Sequence, residues 1–397
     1  MRPCLERHNS DLIQTGSARL DHFSAYWLGE ARSGAGNGSL FAWSSMLTAV
    51  DYYSALFPKY HPARIFSGVY ISFCFMTSAI LTYNEAKLNT RKRIIFGYTL
   101  FFINALLIVV IDLATSGRGG IVVFLAICII TAACGVADAF VQGGMVGDLS
   151  FMDSNLMQSF LAGVAMSGTF TSALRLITKA SFGGSLRKGA LMFFTTASVF
   201  EFFCVLLYAY VFPKLPIVKF YRLKAAAEGS KTVYADLAAA QSQVMSKLEA
   251  KESTTDNEDP QQSSRLTTGQ LLIKNLDYCL DLYLIYTITF SIVPGFLSED
   301  TGNHSLGSWY ALVLLSMYNV TDLIGRCSPL INCVKIESRK VLMLACISRS
   351  SSFRHSTWQQ STENKGPEAN ALGNLLIVFL QGGLLSGVSF DWLWLLA

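Results

Sequence analysis

Charge is scarce in this 397-residue chain: Asp, Glu, Lys and Arg make up 15% of it, whereas roughly 25% is usual in soluble proteins. Hydrophobic residues make up 52%, and the mean hydropathy is +0.40. A chain of this composition lacks the polar surface that a water-soluble protein exposes, so an ordinary cytosolic enzyme is excluded. The net charge of +4 is too small to indicate a general nucleic-acid-binding protein.

Metal-ligand and disulfide patterns are also absent from the sequence. The nine cysteines include no Cys-x-x-Cys pair and most lie in apolar runs, so we expect small buried side chains rather than a disulfide framework or a zinc site. No segment resembles a nucleophile with its base or a glycine-rich phosphate loop. The sequence therefore predicts no cofactor, no metal site and no enzymatic activity.

Long apolar runs dominate the chain instead. A helix of about 20 apolar residues crosses the hydrocarbon core of a bilayer. Eight runs are clear candidates for such spans: Ile65–Tyr83, Ile94–Leu113, Ile121–Gly144, Leu156–Ile177, Gly189–Phe212, Leu276–Leu297, Trp309–Gly325 and Leu372–Leu396. Leu40–Phe57 is a ninth, weaker candidate, because it is short and contains Asp51. Membrane β-strands alternate apolar and polar residues, whereas these runs are continuous, so the predicted fold class is an all-α, polytopic membrane protein.

Lys and Arg are concentrated in alternate loops. Counted along the chain, with Leu40–Phe57 as the first span, the loops after the second, sixth and eighth candidate spans are basic. The intervening loops contain fewer positive charges, with Arg187 and Lys188 as exceptions. Because positively charged loops stay in the cytoplasm, we predict a cytoplasmic N-terminus. The glycosylation sequence Asn303-His304-Ser305 lies in a loop predicted to be outside. The plasma membrane is the expected location, with the vacuolar membrane as the alternative.

A long polar loop divides the spans into two groups. We predict an N-terminal cytoplasmic segment (residues 1–36), a six-helix N-terminal half (37–212), a cytoplasmic loop (213–275) and a C-terminal half (276–397). The loop contains an acidic, polar stretch, 252–264, which cannot bury a core and is predicted to be disordered.

Charged side chains inside a span cost about 2.5 to 3.5 kcal/mol on insertion scales, so each one is a functional candidate. Asp322 and Arg326 are four residues apart and therefore share one helix face. Their carboxylate and guanidinium groups suit the oxygens of a ribose, but a purely structural ion pair is equally consistent with the residues. Four further charged residues lie close to span ends, where we expect water to reach them and their role to be structural: Asp112, Arg175, Asp277 and Asp391.

A second group of polar residues lies in the candidate span Ile121–Gly144, the fourth along the chain. Asp138 and Gln142 are again four residues apart, and the amide of Gln142 has the donors and the acceptor that suit a nucleobase edge. Glu201 is either a proton-responsive carboxylate or a group that forms a hydrogen bond between helices. Gly163 and Gly168 are small residues that let helices approach closely, so we expect a packing role for them.

Further motifs are spread over most of the chain: Gly38 to Trp43, Leu88 to Arg93, Thr115 to Gly120, Ala137 to Met145, Gln158 to Gly163, Ser172 to Leu176, Tyr208 to Pro213, Pro294 to Asp300, Asp322 to Arg326 and Gly366 to Asn374. In their order and residues they resemble the equilibrative nucleoside transporter family, in particular its plant members. The resemblance covers roughly residues 41–347 and 365–396.

The resemblance implies a fold related to the major facilitator group, with six plus five spans, that moves nucleosides by alternating access. It implies that Asp322 and Arg326 bind the ribose, that Gln142 contacts the base, and that Trp43 contributes to the cavity wall and the outer gate. The partners that it implies are a nucleoside and the lipid bilayer, with no nucleic acid.

The resemblance leaves open proton coupling and the completeness of the carrier. Some plant members look proton-coupled, which would give Asp138 or Glu201 a role. Ser44 stands where the family usually has Asn, six residues (30–35) interrupt the start of the first helix, and about two helices are lacking around 341–365. A transport-inactive form that associates with a full-length relative therefore remains an alternative, as does a carrier of another hydroxylated solute such as a sugar.

Overall fold

The computed structural model describes residues 38, 40–83, 90–150, 154–183, 185–214, 268–293, 295, 305–327 and 367–396. Within these ranges the regular structure is entirely helical, which confirms the predicted fold class. The α-helices are α1 (residues 40–48), α2 (Val50–Leu56), α3 (Pro62–Tyr83), α4 (Thr90–Thr115), α5 (Ile121–Ser150), α6 (Ser154–Ser181), α7 (Leu186–Leu206), α8 (Thr268–Lys274), α9 (Leu276–Phe290), α10 (Tyr310–Cys327) and α11 (Pro367–Leu396). A π-helical turn (Leu207–Val211) and a 3-10 turn (Phe212–Lys214) extend α7, and a second 3-10 turn (Gly307–Trp309) precedes α10.

Six of the described helices, α3 to α7 and α11, are long and apolar enough to cross a membrane. The other three candidate spans also form helices, but these are shorter or more polar. The span predicted over Leu276–Leu297 ends already at Phe290, after 15 residues. The span predicted over Leu40–Phe57 is divided by a turn at Ala49 into α1 and α2.

Several sequence predictions lie outside the described residues. These are the N-terminal segment 1–36, most of the loop 213–275, and the region 341–365, around which the sequence predicts that about two helices are lacking. The division of the chain into domains therefore stays a prediction.

Glycines allow close backbone contacts among the N-terminal helices. Helix α5 packs against α3 and α4, and α4 also packs against α7. A β-carbon on Gly135 of α5 would collide with the Tyr70 carbonyl of α3, and one on Gly97 of α4 would lie 2.8 Å from the Ala137 carbonyl of α5. In the C-terminal half, α11 packs against α9 and also against α3 and α5, while α10 packs against α6. Among the described residues, the helices before and after the long loop therefore meet along two seams.

Buried ion pairs are concentrated at one end of the bundle, where α3 and α7 begin and α4, α6 and α11 end. Asp51 lies 3.0 Å from Arg175 and 2.8 Å from Lys179. Arg64 of α3 lies 3.3 Å from Asp391 of α11, and both side chains are fully buried. This region is called the ion-paired end below.

The expectation that water reaches the charges near span ends is wrong for three of them. Asp112 is 8% exposed, and Arg175 and Asp391 are 0% exposed. Each faces a counter-charge on another helix, which takes the place of water as a partner. Asp112, for example, accepts hydrogen bonds from the Tyr52 hydroxyl and, at 3.1 Å, from the Nε of Arg187. This pair also compensates the positive charge that made Arg187 an exception to the loop pattern.

Candidate functional site

A cavity that opens to solvent, with about 1040 Å³ of space not occupied by protein atoms, is bordered by α1, α3, α5 and α6 on one side and by α9, α10 and α11 on the other. Trp43, Gln142, Asp322 and Arg326, the four residues predicted to bind substrate, all line it, and so does Asp138. The cavity thus brings together residues from three separate helices.

Asp322 and Arg326 form an ion pair on the wall that α10 contributes. The Nε of Arg326 donates to Oδ2 of Asp322 at 2.9 Å. The two side chains are 13% and 12% exposed, so both remain in contact with the cavity. A guanidinium has five N–H donors and a carboxylate has about four lone-pair sites, so this bond uses a small part of their capacity. The pair can therefore bind a ligand that offers both hydroxyl donors and oxygen acceptors.

Asp138 and Gln142 form the polar part of the wall that α5 contributes. The amide nitrogen of Gln142 donates to both carboxylate oxygens of Asp138, at 2.8 and 2.9 Å. The thiol of Cys74 on α3 donates to the same carboxylate at 3.5 Å. Because its nitrogen is engaged by Asp138, Gln142 presents its amide oxygen to the cavity as an acceptor.

Aromatic rings form the wall where α1 meets α3. The indole of Trp43 stacks on the ring of Tyr70, with centroids 3.9 Å apart and an angle of 9° between the planes. Phe160 and Phe290 add apolar surface from α6 and α9. A flat, partly apolar ligand would bury its faces against these rings.

Ser44, which replaces the usual family Asn, also lines the cavity but is engaged with α6. Its hydroxyl lies 3.3 Å from that of Ser167, and one turn further along the hydroxyls of Thr48 and Thr171 are 3.4 Å apart. These pairs join α1 to α6. A shorter side chain at position 44 thus contributes to helix packing in this chain.

The remaining predicted site residues do not line the cavity, except for Gly168. Glu201 is fully buried on α7 and does not line the cavity. A β-carbon on Gly168 would lie 2.8 Å from the amide oxygen of Asn319, so α6 approaches α10 closely at this glycine. Gly163 is buried in the same helix.

Two amide side chains in the cavity wall were not predicted as site residues from the sequence. Gln381 of α11 lines the cavity and is 1% exposed. Asn319 of α10 also lines it and donates to the Gly168 carbonyl at 3.1 Å and to the Ser172 hydroxyl at 2.8 Å. In the sequence, each of these residues is an uncharged amide within an apolar run. A polar group inside a predicted span indicates a functional role, but an amide does so less strongly than a charge.

Known proteins resemble this chain in both sequence and fold. The family model described as "Nucleoside transporter" matches residues 125–353. The chain is 50% identical to equilibrative nucleotide transporter 3 of Arabidopsis thaliana over 394 residues, covering 91% of this chain and 92% of that protein. It is 48% identical to equilibrative nucleotide transporter 4 of the same plant, with the same coverage.

Among solved structures, a partially occluded inward-open conformation of the xylose transporter XylE from E. coli superimposes with a TM-score of 0.58. The two sequences are 12% identical, and the match covers 92% of this chain and 91% of that one. This similarity supports a major-facilitator-like fold. Together with the family model and the plant relatives, it leads to one assignment: the chain belongs to the nucleoside transporter family.

Proposed function

We propose that this chain is a membrane carrier that moves nucleosides by alternating access. The observation that carries the proposal is the cavity described above, where the Asp322–Arg326 pair, the amide of Gln142 and the Trp43–Tyr70 stack meet. Ribose hydroxyls can donate to the carboxylate and accept from the guanidinium. The amide oxygen of Gln142 can accept from a base N–H, while the aromatic wall shields the base from water.

The charge of the cavity favours nucleosides over nucleotides, although the names of the plant relatives refer to nucleotides. The charged residues in the described lining are Asp138, Asp322 and Arg326, and the single cation among them is already paired at 2.9 Å. A phosphate monoester carries about 1.5 to 2 negative charges at neutral pH. It would meet two carboxylates in a region of low dielectric constant, where repulsion is strong. An uncharged nucleoside avoids this cost.

For the transport cycle, we propose that the ion-paired end faces outward and that the N-terminus is cytoplasmic, as the distribution of basic loops indicates. Among the described residues, one ion pair and one cation–π contact join the halves at this end. Arg64 pairs with Asp391, and the ammonium of Lys179 lies 5.0 Å from the centre of the Trp309 ring. Both contacts must separate when the halves rock apart to admit a substrate from outside.

If transport is coupled to protons, we propose Asp138 rather than Glu201 as the proton-binding group. Asp138 lines the cavity and is bonded directly to the Gln142 amide, so a proton on its carboxylate changes how that amide binds a base. Glu201 is separated from the cavity and bonds to none of the proposed substrate contacts.

Uptake of labelled adenosine and uridine into cells deficient in nucleoside uptake tests the function. We expect Asp322→Asn and Arg326→Lys each to lower uptake more than about tenfold, because each loses charge-assisted hydrogen bonds worth about 1.5 to 3 kcal/mol. Thr321→Ala is the matched control: Thr321 is exposed on the same helix and its hydroxyl donates to the Met317 carbonyl at 2.8 Å. We expect this control to transport normally and AMP not to compete.

The alternatives give different outcomes in the same cells. Normal membrane insertion without uptake would contradict the proposal, and co-purification with a full-length relative would then identify the associating form. Competition by free ribose or xylose that is stronger than competition by uridine would identify a sugar carrier.

A further inference from the structure

Gln381 lies in the cavity wall, and neither the sequence motifs nor the family match gives it a role. It is near the middle of α11, it lines the cavity, and it is 1% exposed. Its amide oxygen is sealed from water and has no hydrogen-bond partner among the described residues. Buried acceptors of this kind are nearly always paired in native proteins, so an unpaired one in a binding cavity calls for a functional explanation.

The helix that carries Gln381 is held firmly against α9. A β-carbon on Gly383 would collide with the backbone carbonyl of Tyr283. The Tyr283 hydroxyl lies 2.8 Å from that of Ser386, and the Thr287 hydroxyl donates to the Gly383 carbonyl at 3.2 Å. All of these contacts involve α11 residues within five positions of Gln381. The backbone from which its amide extends is therefore fixed, as a binding group requires.

Other amides in the cavity wall are already engaged within the protein. The nitrogen of Gln142 donates to Asp138, and the nitrogen of Asn319 donates to Ser172 at 2.8 Å. Gln381 differs from both because its acceptor is sealed from water and has no hydrogen-bond partner among the described residues. It also belongs to the C-terminal half, whereas Gln142 belongs to the N-terminal half.

We propose that Gln381 binds the base edge of the transported nucleoside, an inference that rests on the function proposed above. A primary amide has a donor and an acceptor side by side, and so do base edges such as N6–H and N1 of adenine or N4–H and N3 of cytosine. Rotation about the last side-chain torsion exchanges the amide oxygen and nitrogen, so one glutamine can match either order. A base held by Gln142 on one side and Gln381 on the other then links the two halves of the carrier.

Nucleosides that lack one exocyclic amine test this pairing. Purine riboside is adenosine without its 6-amino group, and pyrimidin-2-one riboside is cytidine without its 4-amino group. We expect the wild-type protein to favour the parent nucleoside about tenfold in at least one pair, as competition for uptake measures, because one hydrogen bond is lost. Gln381→Met keeps the length of the side chain without the amide. In this variant the parent nucleoside should compete for uptake less well by the same factor, so that the preference for it disappears.

Two further variants keep the result interpretable. Gln381→Glu retains an acceptor for the amine and should retain the preference for the parent nucleosides. Ser389→Ala, at an exposed position on the same helix, should leave both ratios unchanged. The same nucleosides are also compared by thermal stabilisation of the purified protein, so that the result does not depend on transport.

The inference is overturned if Gln381→Met weakens competition by the parent nucleosides and by those without the exocyclic amine equally. It is also overturned if the wild type distinguishes the two members of neither pair. Retained wild-type uptake with unchanged ratios in Gln381→Met refutes only the role of Gln381. Absence of wild-type uptake refutes the proposed transport function, whereas the stabilisation ratios still decide whether Gln381 reads the base.

Discussion

The Arg64–Asp391 pair tests the proposal that the two halves separate at the ion-paired end. Asp391→Asn removes the counter-charge that Arg64 has at 3.3 Å, at a site where both side chains are 0% exposed. Removing one partner of a fully buried pair costs about 3 to 5 kcal/mol. Opening of the ion-paired end lets water reach Arg64 and avoids most of this cost. Since every 1.4 kcal/mol is about a factor of ten, the variant should favour the open state by about a hundredfold or more.

A cysteine at position 388 reports this opening. Val388 is 3% exposed and lies one turn from Asp391, where its side chain is 3.8 Å from the place of a β-carbon on Gly68 of α3. In a background without the other cysteines, Val388→Cys should react slowly with a membrane-impermeant thiol reagent while this end is closed. We expect Asp391→Asn to accelerate the reaction by at least about tenfold.

The double variant Arg64→Met/Asp391→Leu is the matched control. It removes both charges of the pair, and apolar replacements of buried ion pairs are often neutral or stabilising. The reaction should therefore return to the native rate or below it. An unchanged rate in Asp391→Asn would refute the view that this pair holds the end closed, and an equally fast rate in the double variant would show that packing, not charge, is responsible.

Three further predictions concern stability, measured as the melting temperature of the purified protein. Gly168→Ala puts a β-carbon 2.8 Å from the Asn319 amide oxygen and should lower the stability by about 1 to 3 kcal/mol. In the control Gly120→Ala the new β-carbon has no atom within 4 Å, so we expect no effect. Equal effects of the two variants would refute this account of α6–α10 packing. Asp51→Asn removes the counter-charge of two buried cations and should cost about 3 to 5 kcal/mol, and a native melting temperature would contradict the importance of that cluster. Arg187→Ala should cost only about 1 kcal/mol, because water screens a side chain that is 39% exposed, and a loss as large as that of Asp51→Asn would be inconsistent with this screening.

The helices and the two cavity pairs could be predicted from the sequence because they depend on local spacing. Length and apolarity indicated the spans, and a separation of four residues put Asp322 beside Arg326 and Asp138 beside Gln142 on one helix face. The structure has both contacts, at 2.9 and 2.8 Å. Local pattern was less informative about helix ends, as the early end of α9 at Phe290 illustrates.

Contacts between distant segments could not be predicted in this way. Arg64 and Asp391 are 327 positions apart, and no periodicity connects them. Gln381 was missed for a related reason: an amide in an apolar run is unremarkable until the surrounding helices show whether its oxygen has a partner. Such information exists only in the packed bundle.

Exposure separates the charges that bind from those that hold the bundle together. Arg64 and Asp391 are 0% exposed, so no ligand can reach them unless their mutual bond is first broken. Asp322 and Arg326 are 13% and 12% exposed, so they can accept a ligand while their mutual bond stays intact. In the proposed transport cycle the first pair therefore acts by forming and breaking as the halves move, whereas the second can discriminate between ligands in a fixed arrangement. The proposed function thus divides these charges between motion at the ion-paired end and recognition in the cavity.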